Sequence, residues 1–303
     1  MSTWLPTSPC TPRACAGHQG RSASVPHAVL KLLTALALIL LGILGAQPVR
    51  LLPARPRHTA VRAWAAALVR AFGVGITVHG NPGPDGGRLV VANHISWLDI
   101  PLVAAALPCR MLAKSDIRGW PVLGRLARGA GTLFIERDRI RALPGTVEAV
   151  TRALLSGDRV TVYPEGSTWC GRAAGTFRRA AFQSALDARV PVQPVHLAYL
   201  AADGQPSGAP AFVGDDPLTA SLWRIARARG LRAEVRLLPR IPPGRHTDRR
   251  DLAAAAQQAV AAAGPAPRTL PAIPAQATRP PQTTPPSATE RDRAKRPAES
   301  VHQ

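Results

Sequence analysis

The sequence is poor in acidic residues, in lysine and in aromatic residues. Asp and Glu number 18 among 303 residues, against 38 Lys and Arg, which gives a formal net charge of +20. Three of these bases are Lys and the rest are Arg, while aromatic residues make up 4% of the chain. So large an excess of positive charge indicates an anionic partner, which could be a nucleic acid, phospholipid headgroups or a phosphorylated substrate.

The sequence also lacks the motifs of metal-binding and nucleic-acid-binding modules. Its four cysteines show no CxxC spacing and no accompanying His cluster, so the sequence predicts neither a zinc ribbon nor a haem attachment site. Zinc-finger spacing, an RRM-type aromatic signature and a basic region with heptads are missing as well. We therefore expect no metal, no prosthetic group and no nucleic-acid partner.

One long apolar run follows residues 1–27, which are rich in Ser, Pro and small side chains and are expected to be disordered. Residues 32–46 carry no charge and would form about 22 Å of helix, short of the roughly 30 Å hydrocarbon core of a bilayer. Extension to residue 28 takes in Lys31, which could snorkel to the headgroups. Arginines at 50, 55, 57 and 62 favour a membrane anchor with the domain on the cytoplasmic side. A cleaved signal peptide and a buried core helix are the alternatives.

The rest of the chain divides into three parts. Apolar side chains at helical spacing over 59–72 predict an amphipathic helix that lies in the membrane interface or packs on the domain, so 28–72 is assigned to anchor and amphipathic helix. Short apolar strands alternate with helices over 73–263, which predicts a single α/β domain whose largely parallel or mixed central sheet is flanked by helices. Residues 264–303 contain nine prolines and are predicted to be a disordered tail.

The predicted elements of the domain follow from these patterns. Strands are expected at 75–79, 89–92, 132–135, 160–163, 192–197 and 234–238, and helices at about 97–106, 118–129, 142–155 and 176–187.

A histidine and an aspartate, His94 and Asp99, come directly after the predicted strand 89–92. A carboxylate that hydrogen-bonds an imidazole fixes its tautomer and orientation, as a general base requires. The two side chains can meet if His94 lies in a loop and Asp99 reaches back from the following turn. Taken alone, the pair is equally typical of a structural His–Asp contact. Since the sequence has no GxSxG elbow, such a base would act on a substrate hydroxyl and not on a serine of the enzyme.

Four blocks then follow one another along the chain: NHISWLD at 93–99, GTLFIER at 131–137, YPEGST at 163–168 and VPVQP at 190–194. Together they resemble the four blocks of the PlsC-like glycerolipid acyltransferases, which include 1-acyl-sn-glycerol-3-phosphate and lysophospholipid acyltransferases. The resemblance covers about residues 75–240. It implies a membrane-associated enzyme that moves a fatty-acyl group from an acyl thioester to the free hydroxyl of a lysolipid. The expected acceptor is 1-acyl-sn-glycerol 3-phosphate, which gives phosphatidic acid in phospholipid biosynthesis.

The resemblance also implies a role for each residue of the blocks. His94 would be the general base that takes the proton from the acceptor hydroxyl, and Asp99 would orient it and stabilise its imidazolium. The acceptor oxygen would then attack the thioester directly, without an acyl-enzyme. The implied acceptor site comprises Arg137, Glu165, Gly166, Ser167, Thr168, Arg178 and Arg179. A surface ion pair with Glu136 or Asp138 is the alternative for Arg137, and a helix-start cap is the alternative for Glu165.

One position departs from the family pattern. Members that use lysophosphatidic acid usually have an Arg after the EGT of the third block, where this sequence has Thr168. Arg172, Arg178 and Arg179 could supply the missing charge, or the acceptor could have another headgroup, as in lyso-ornithine lipid. A non-catalytic lipid-binding relative and a thioesterase are the other hypotheses that the blocks leave open.

The partners expected from the resemblance are the two substrates and the membrane surface. The donor would be acyl-CoA or an acyl carrier protein thioester, and the sequence does not choose between them. Apolar residues at 95, 97, 98 and 120–123 could line an acyl channel or belong to the core, with the core as the default. Lys114 could contact the donor phosphates, although a solvated surface lysine is the more common case.

Overall fold

Within the described residues, 7–18 and 20–264 of the computed structural model, seven strands form one mixed sheet. The strands are β1 (Gly75–His79), β2 (Arg88–Ala92), β3 (Arg110–Lys114), β4 (Leu133–Ile135), β5 (Arg159–Val162), β6 (Val192–Leu200) and β7 (Arg232–Leu237). Their order across the sheet is β1-β7-β6-β2-β5-β3-β4, in which β6 and β7 pair antiparallel and the other neighbours pair parallel. Apart from Gly264, the predicted tail lies outside the described residues.

Helices cover the sheet on both faces. They are α1 (Pro12–Cys15), α2 (Val25–Leu51), α3 (Ala54–Ala71), α4 (Asp99–Ala106), α5 (Leu123–Gly129), α6 (Leu143–Leu155), α7 (Ala180–Ala188), α8 (Leu218–Arg227) and α9 (Arg249–Ala262). Val90 and Ala92 of β2 are buried with α3, α4 and α8, whereas Leu89 and Val91 are buried with α6, α7 and α9. Because successive residues of a strand point to opposite faces, the apolar run of β2 is buried from both sides. The predicted α/β class is confirmed.

Three elements of the sheet domain, β3, α8 and α9, have no counterpart among the predicted ones. β3, Arg110–Lys114, has only three consecutive apolar residues between two basic ones, which is too short a run to predict a strand. Two of the four buried residues of α9 are alanines, which weakens its amphipathic pattern. The helix predicted at 118–129 begins only at Leu123, because a 3-10 turn occupies Ser115–Gly119.

The N-terminal segment differs from the expected disordered arm. Thr11 caps α1 by accepting a hydrogen bond from the backbone N–H of Ala14, and both Cys10 and Cys15 are buried. The carbonyl group of Cys15 lies so close to Gly208 that a Cβ at that position would collide with it. The segment is therefore held by residues far away in the sequence, and a local composition rich in Ser and Pro carries no sign of such contacts.

Helix α2, the candidate membrane anchor, begins at Val25, three residues before the predicted start at 28, and is long and apolar enough to cross a membrane by length and composition. Its only lysine, for which snorkelling to the lipid headgroups is one option by sequence, contacts the domain instead. The Lys31 ammonium group donates to the carbonyl oxygens of Ala226 and Ala228, at 3.1 and 3.3 Å, where α8 ends. The last carbonyls of a helix lack partners within the helix and attract a cation, so Lys31 fastens α2 to the domain.

Two further contacts join α2 to neighbouring helices. The Trp64 indole N–H of α3 donates to the carbonyl oxygen of Leu38 at 2.8 Å. Farther along, Gly129 of α5 approaches Ala46 so closely that a Cβ at the glycine would lie 2.7 Å from the Ala46 methyl group. α2 therefore contacts the domain at positions 31, 38 and 46.

The amphipathic helix predicted at 59–72 lies within α3. Its apolar side, including Ala65, Leu68 and Val69, is buried against the domain. Of the two interpretations of this helix, packing on the domain is therefore the one that the buried side chains show.

Candidate active site

His94 and Asp99 meet at the carboxyl end of β2. His94 lies in the loop at 93–98, Asp99 is the first residue of α4, and the His94 Nδ1 to Asp99 Oδ2 distance is 2.8 Å. The same carboxylate oxygen accepts the backbone N–H groups of Ile95 and Ser96 at 2.6 and 2.9 Å, and Oδ1 accepts the Tyr199 hydroxyl at 2.6 Å. Four donors thus compensate a carboxylate that is fully buried, which would otherwise be costly.

The His94 imidazole is oriented but still accessible. Its ring stacks on Tyr163 with the centroids 4.0 Å apart, and 15% of the side chain is exposed. Because a carboxylate can only accept, the contact with Asp99 assigns the proton of the neutral ring to Nδ1. Nε2 then has a free lone pair, and within the described part of the chain no protein group donates to it. The ring is therefore arranged to accept a proton at Nε2.

The turn after β5, at 163–175, holds the backbone of His94 from the neighbouring strand end. Glu165 Oε2 accepts the His94 N–H at 2.7 Å, Glu165 Oε1 accepts the Gly175 N–H at 3.0 Å, and the Trp169 N–H donates to the His94 carbonyl at 2.7 Å. Glu165 is only 3% exposed. Burial raises its pKa to about 7, against the opposing effect of the two N–H donors. Glu165 thus lies beneath the site, and it is not the helix-start cap considered as an alternative.

Arg137 connects the second block to the third. Its Nη1 donates to the carbonyl oxygen of Gly166 at 2.6 Å, and Gly166 closes its turn with φ +72°. Glu136 pairs instead with Arg139 at 3.5 Å, and among the described residues neither Glu136 nor Asp138 forms an ion pair with Arg137. Partial burial lowers the pKa of this guanidinium. Since a guanidinium carries five N–H donors, those not used by Gly166 can bind an anion.

The other predicted acceptor residues do not converge in the same way. The Thr168 hydroxyl donates to the carbonyl oxygen of Phe212, so this position contributes no cation. Ser167, next to it, is half-buried. The Arg178 side chain is exposed while its N–H donates to Pro164 at 2.8 Å, and Arg179 borders a surface hollow with the start of α9.

Arg172, the third arginine that could replace the missing cation, is directed elsewhere. Its Nη2 donates to the carbonyl oxygen of Ala14 in α1 at 2.7 Å. Of the three arginines, Arg178 is therefore the one whose backbone is hydrogen-bonded to the third block, at Pro164, while its side chain stays exposed.

Two residues that sequence reasoning did not assign support the pair. Tyr199 donates to Asp99 from β6, and both oxygen and nitrogen of the Asn93 side chain bond the backbone of Leu197, at 2.8 and 3.0 Å. These two amide contacts continue the pairing of β2 with β6 beyond the strand and fix the start of the His94 loop. The composition contains one signal for the site, because the sequence has only two tyrosines and both contact the pair: Tyr163 stacks on His94 and Tyr199 donates to Asp99.

The apolar neighbours of the first block belong to the core, as the default interpretation expects, but the same expectation is wrong for 120–123, where Trp120 and Val122 are exposed. Ile95 and Leu98 are buried, and the Trp97 indole N–H donates to the Ser221 hydroxyl at 3.1 Å. Lys114 pairs with Asp116 at 2.5 Å on the surface, as a solvated lysine would.

The chain is similar to known acyltransferases. A family model described as Acyltransferase matches residues 75–198. A lyso-ornithine lipid O-acyltransferase of Pseudomonas aeruginosa is 40% identical over 212 residues, which are 69% of this chain and 78% of that protein. A 1-acyl-sn-glycerol-3-phosphate acyltransferase of Neisseria gonorrhoeae is 38% identical over 183 residues, 60% of this chain and 71% of that protein.

A solved structure has the same fold. The crystal structure of the 1-acyl-sn-glycerophosphate acyltransferase PlsC from Thermotoga maritima superimposes with a TM-score of 0.60 at 19% identity, over 78% of this chain and 92% of that chain. At this identity the match concerns the fold alone.

Proposed function

Because this chain belongs to the PlsC-like glycerolipid acyltransferase family and transfers an acyl group to a lysolipid, we propose that His94 is its general base and that Asp99 orients it. The family and the acyltransferase activity predicted from the four blocks are confirmed by the relatives. The observation that supports the catalytic assignment is the 2.8 Å contact from Nδ1 to a buried carboxylate, with Nε2 left free.

The proposed step moves one proton and one acyl group. Nε2 takes the proton of the acceptor hydroxyl while the hydroxyl oxygen attacks the thioester carbonyl carbon. The carbon–sulfur bond then breaks, and the imidazolium returns its proton to the leaving thiolate. Asp99 stabilises the imidazolium between these events, since the two charges are adjacent and shielded from water. This transfer changes no oxidation state and needs no cofactor beyond the thioester, for which acyl-CoA and acyl carrier protein remain the two proposed carriers.

For the acceptor we favour a lyso-ornithine lipid over a phosphate monoester. Thr168 replaces the usual cation and directs its hydroxyl to a backbone carbonyl, while Arg172 contacts α1. Arg137 provides a planar fork that suits a carboxylate as well as a phosphate. One such fork matches the single carboxylate of ornithine better than a phosphate monoester with close to two negative charges. The Pseudomonas aeruginosa relative, at 40% identity, is named for this acceptor.

The competing acceptor is 1-acyl-sn-glycerol 3-phosphate, the substrate named for the Neisseria gonorrhoeae relative. It is favoured by the exposed side chain of Arg178, whose backbone is tied to the third-block turn.

We further propose that α2 lies in the membrane interface. Its contacts with the domain at positions 31, 38 and 46 extend over about 22 Å, so too few free residues remain to cross a bilayer while the domain stays in water. The opposite side of the helix exposes Leu30, Leu33, Leu36, Leu40, Leu41 and Leu44. Such a helix binds a bilayer by one apolar face, and the arginines that follow α2 favour the cytoplasmic leaflet.

The acyl-transfer test uses washed membranes from cells that express the wild type, His94→Ala or the control His79→Ala, whose histidine is exposed on β1. Labelled palmitoyl-CoA is supplied with lyso-ornithine lipid, lysophosphatidic acid or lysophosphatidylcholine, and the lipids are separated. We expect label in ornithine lipid from the wild type and His79→Ala, and a rate on the order of 10²–10⁴-fold lower from His94→Ala.

The possible results separate the parts of the proposal. Full activity of His94→Ala would reject the general base, whereas label that enters phosphatidic acid alone would reject the acceptor and keep the base. Fatty acid released without any lysolipid would indicate a thioesterase. If α2 crosses the membrane, residues 7–24 and the domain lie on opposite sides of a sealed vesicle. A protease added to one side would then cleave only one of the two, and that result would reject the interfacial position.

A further inference from the structure

Three of the four cysteines meet at one buried place. The sulfur atoms of Cys10, Cys15 and Cys170 all lie within 4.8 Å of one another, and all three residues are buried. Cys10 precedes α1 and Cys15 is its last residue, whereas Cys170 belongs to the turn after β5 that supports His94. The sequence does not predict this cluster, because Cys10 and Cys15 lie far along the chain from Cys170 and only the fold brings them together.

A tight turn and a cationic side chain lie beside the cluster. Gly171, with φ +78°, turns the chain directly after Cys170, and Arg172 follows it. The Arg172 side chain reaches the α1 segment, where its Nη2 donates to the carbonyl oxygen of Ala14, the residue before Cys15, at 2.7 Å. A guanidinium held next to buried sulfurs favours thiolates over thiols that pack as small apolar groups.

From this geometry we infer that Cys10, Cys15 and Cys170 bind one thiophilic divalent cation of the Zn²⁺ type. Three thiolates are a common part of structural zinc sites, whose Zn–S bonds place the sulfurs about 3.8 Å apart. The three sulfurs already lie within 4.8 Å of one another, so small side-chain rotations complete the site. A water molecule takes the fourth position.

Charge is balanced around such a site. Three thiolates and a divalent cation leave one net negative charge, which the Arg172 guanidinium, held at Ala14 next to Cys15, offsets. A thiolate cluster without a metal would leave the Cys10 and Cys15 sulfurs with less compensation in the same buried place.

The metal would fasten α1 to the active-site turn. Cys170 lies between Trp169, whose N–H holds the His94 carbonyl, and Gly175, whose N–H holds Glu165. A cation bound by Cys170 and by both cysteines of the α1 segment fixes this stretch from outside the catalytic pair. The inference concerns the support of the turn and stands whichever acceptor the enzyme uses.

The test measures Zn²⁺ in the full-length protein, purified in detergent under reducing conditions. We expect about one equivalent of Zn²⁺ in the wild type and in the control Cys109→Ser, since Cys109 is outside the cluster and accepts from Thr161. Cys170→Ser and Cys10→Ser should retain less than about a tenth of an equivalent after dialysis against a weak chelator. Wild type without Zn²⁺, or Cys170→Ser with wild-type content, would overturn the site.

Two measurements on the unaltered chain guard against a variant that does not fold. Zn²⁺ added to the metal-free protein should raise Tm, whereas Mg²⁺ should not, because only a ligand bound by the folded state stabilises it. Co²⁺ added in its place should give the absorption of a thiolate-bound metal. An unchanged Tm with Zn²⁺ or an absent cobalt–thiolate band would reject the proposal. A disulfide among these cysteines would also reject it if the protein takes up no Zn²⁺ after that disulfide is reduced.

Discussion

The loop after β2 and the turn after β5 lie at neighbouring strand ends, and each is organised by a buried carboxylate. Asp99 accepts four hydrogen bonds, from an imidazole, a phenol and two backbone N–H groups. Glu165 accepts from two backbone N–H groups only, and its burial raises its pKa to about 7. The carboxylate of the proposed catalytic pair is therefore compensated by four donors, two of which belong to side chains. The turn that supports the pair depends instead on the Glu165 carboxyl group, whose pKa is near neutral pH.

The largest effect should come from the loop after β2. Asp99→Asn preserves shape but cannot stabilise an imidazolium, so we expect kcat to fall on the order of 10²–10⁴-fold with a smaller change in KM. Initial rates of acyl transfer at saturating thioester measure it, with His79→Ala as the control. Retention of more than about a tenth of the wild-type rate would exclude the proposed role of Asp99.

The turn after β5 should respond to pH instead. The pKa of Glu165 is about 7 in the folded chain against a usual 4.5, so between these values the folded state binds the extra proton. Raising the pH through this window therefore lowers the free energy of unfolding of the wild type, by about 3 kcal/mol if the whole shift is expressed. In Glu165→Gln this contribution is absent, and the free energy of unfolding should therefore decrease less between about pH 5 and about pH 8.

Thermal unfolding at several pH values measures this contrast. Glu148→Gln is the matched control, because Glu148 is 68% exposed and pairs with Arg152 on the surface. Parallel pH curves for the wild type and Glu165→Gln would show that Glu165 does not titrate in this range.

The two tyrosines offer a smaller and more local comparison. Tyr199→Phe removes a donor from the buried Asp99 carboxylate and should lower the free energy of unfolding by about 1–3 kcal/mol. Tyr163→Phe removes a buried hydroxyl that has no partner among the described residues, so its stability should not fall. Urea unfolding of both variants measures the difference. Equal losses of stability would contradict the assigned hydrogen bond.

The smallest effect should be a change of acceptor preference at Thr168. Thr168→Arg adds a cation to the turn after β5, and one charge-assisted hydrogen bond should raise the ratio of phosphatidic acid to ornithine lipid formed by about tenfold. Competition between the two lysolipids measures the ratio. Thr168→Val, which removes the hydroxyl without adding charge, should leave it unchanged. An unaltered ratio in Thr168→Arg would place the headgroup elsewhere.

The sequence allowed the central sheet and the active-site loops to be predicted because their patterns are local. β1 matches its predicted bounds, and the apolar run of β2 predicts a strand buried on both faces. The His94–Asp99 contact needs five residues of chain and one turn, so spacing alone makes it possible.

Features that depend on distant contacts had no local pattern. The hydroxyl of Tyr199 reaches Asp99 across 100 residues of sequence, and Lys31 reaches Ala226 across 195. A lysine inside an apolar run suggests snorkelling whether or not a helix end lies beside it. In the same way, Cys10 and Cys170 become neighbours only through packing of α1 on the domain, which spacing rules for metal ligands do not consider.

The placement of both tyrosines gives this enzyme an internal reporter. With fluorine-labelled tyrosine in place of the natural amino acid, a nuclear magnetic resonance spectrum of the chain would contain two tyrosine resonances. One comes from the ring that stacks on His94, and the other from the ring whose hydroxyl bonds Asp99. Protonation of the imidazole and arrival of an acceptor could then be observed separately, at the two ends of one hydrogen-bonded pair.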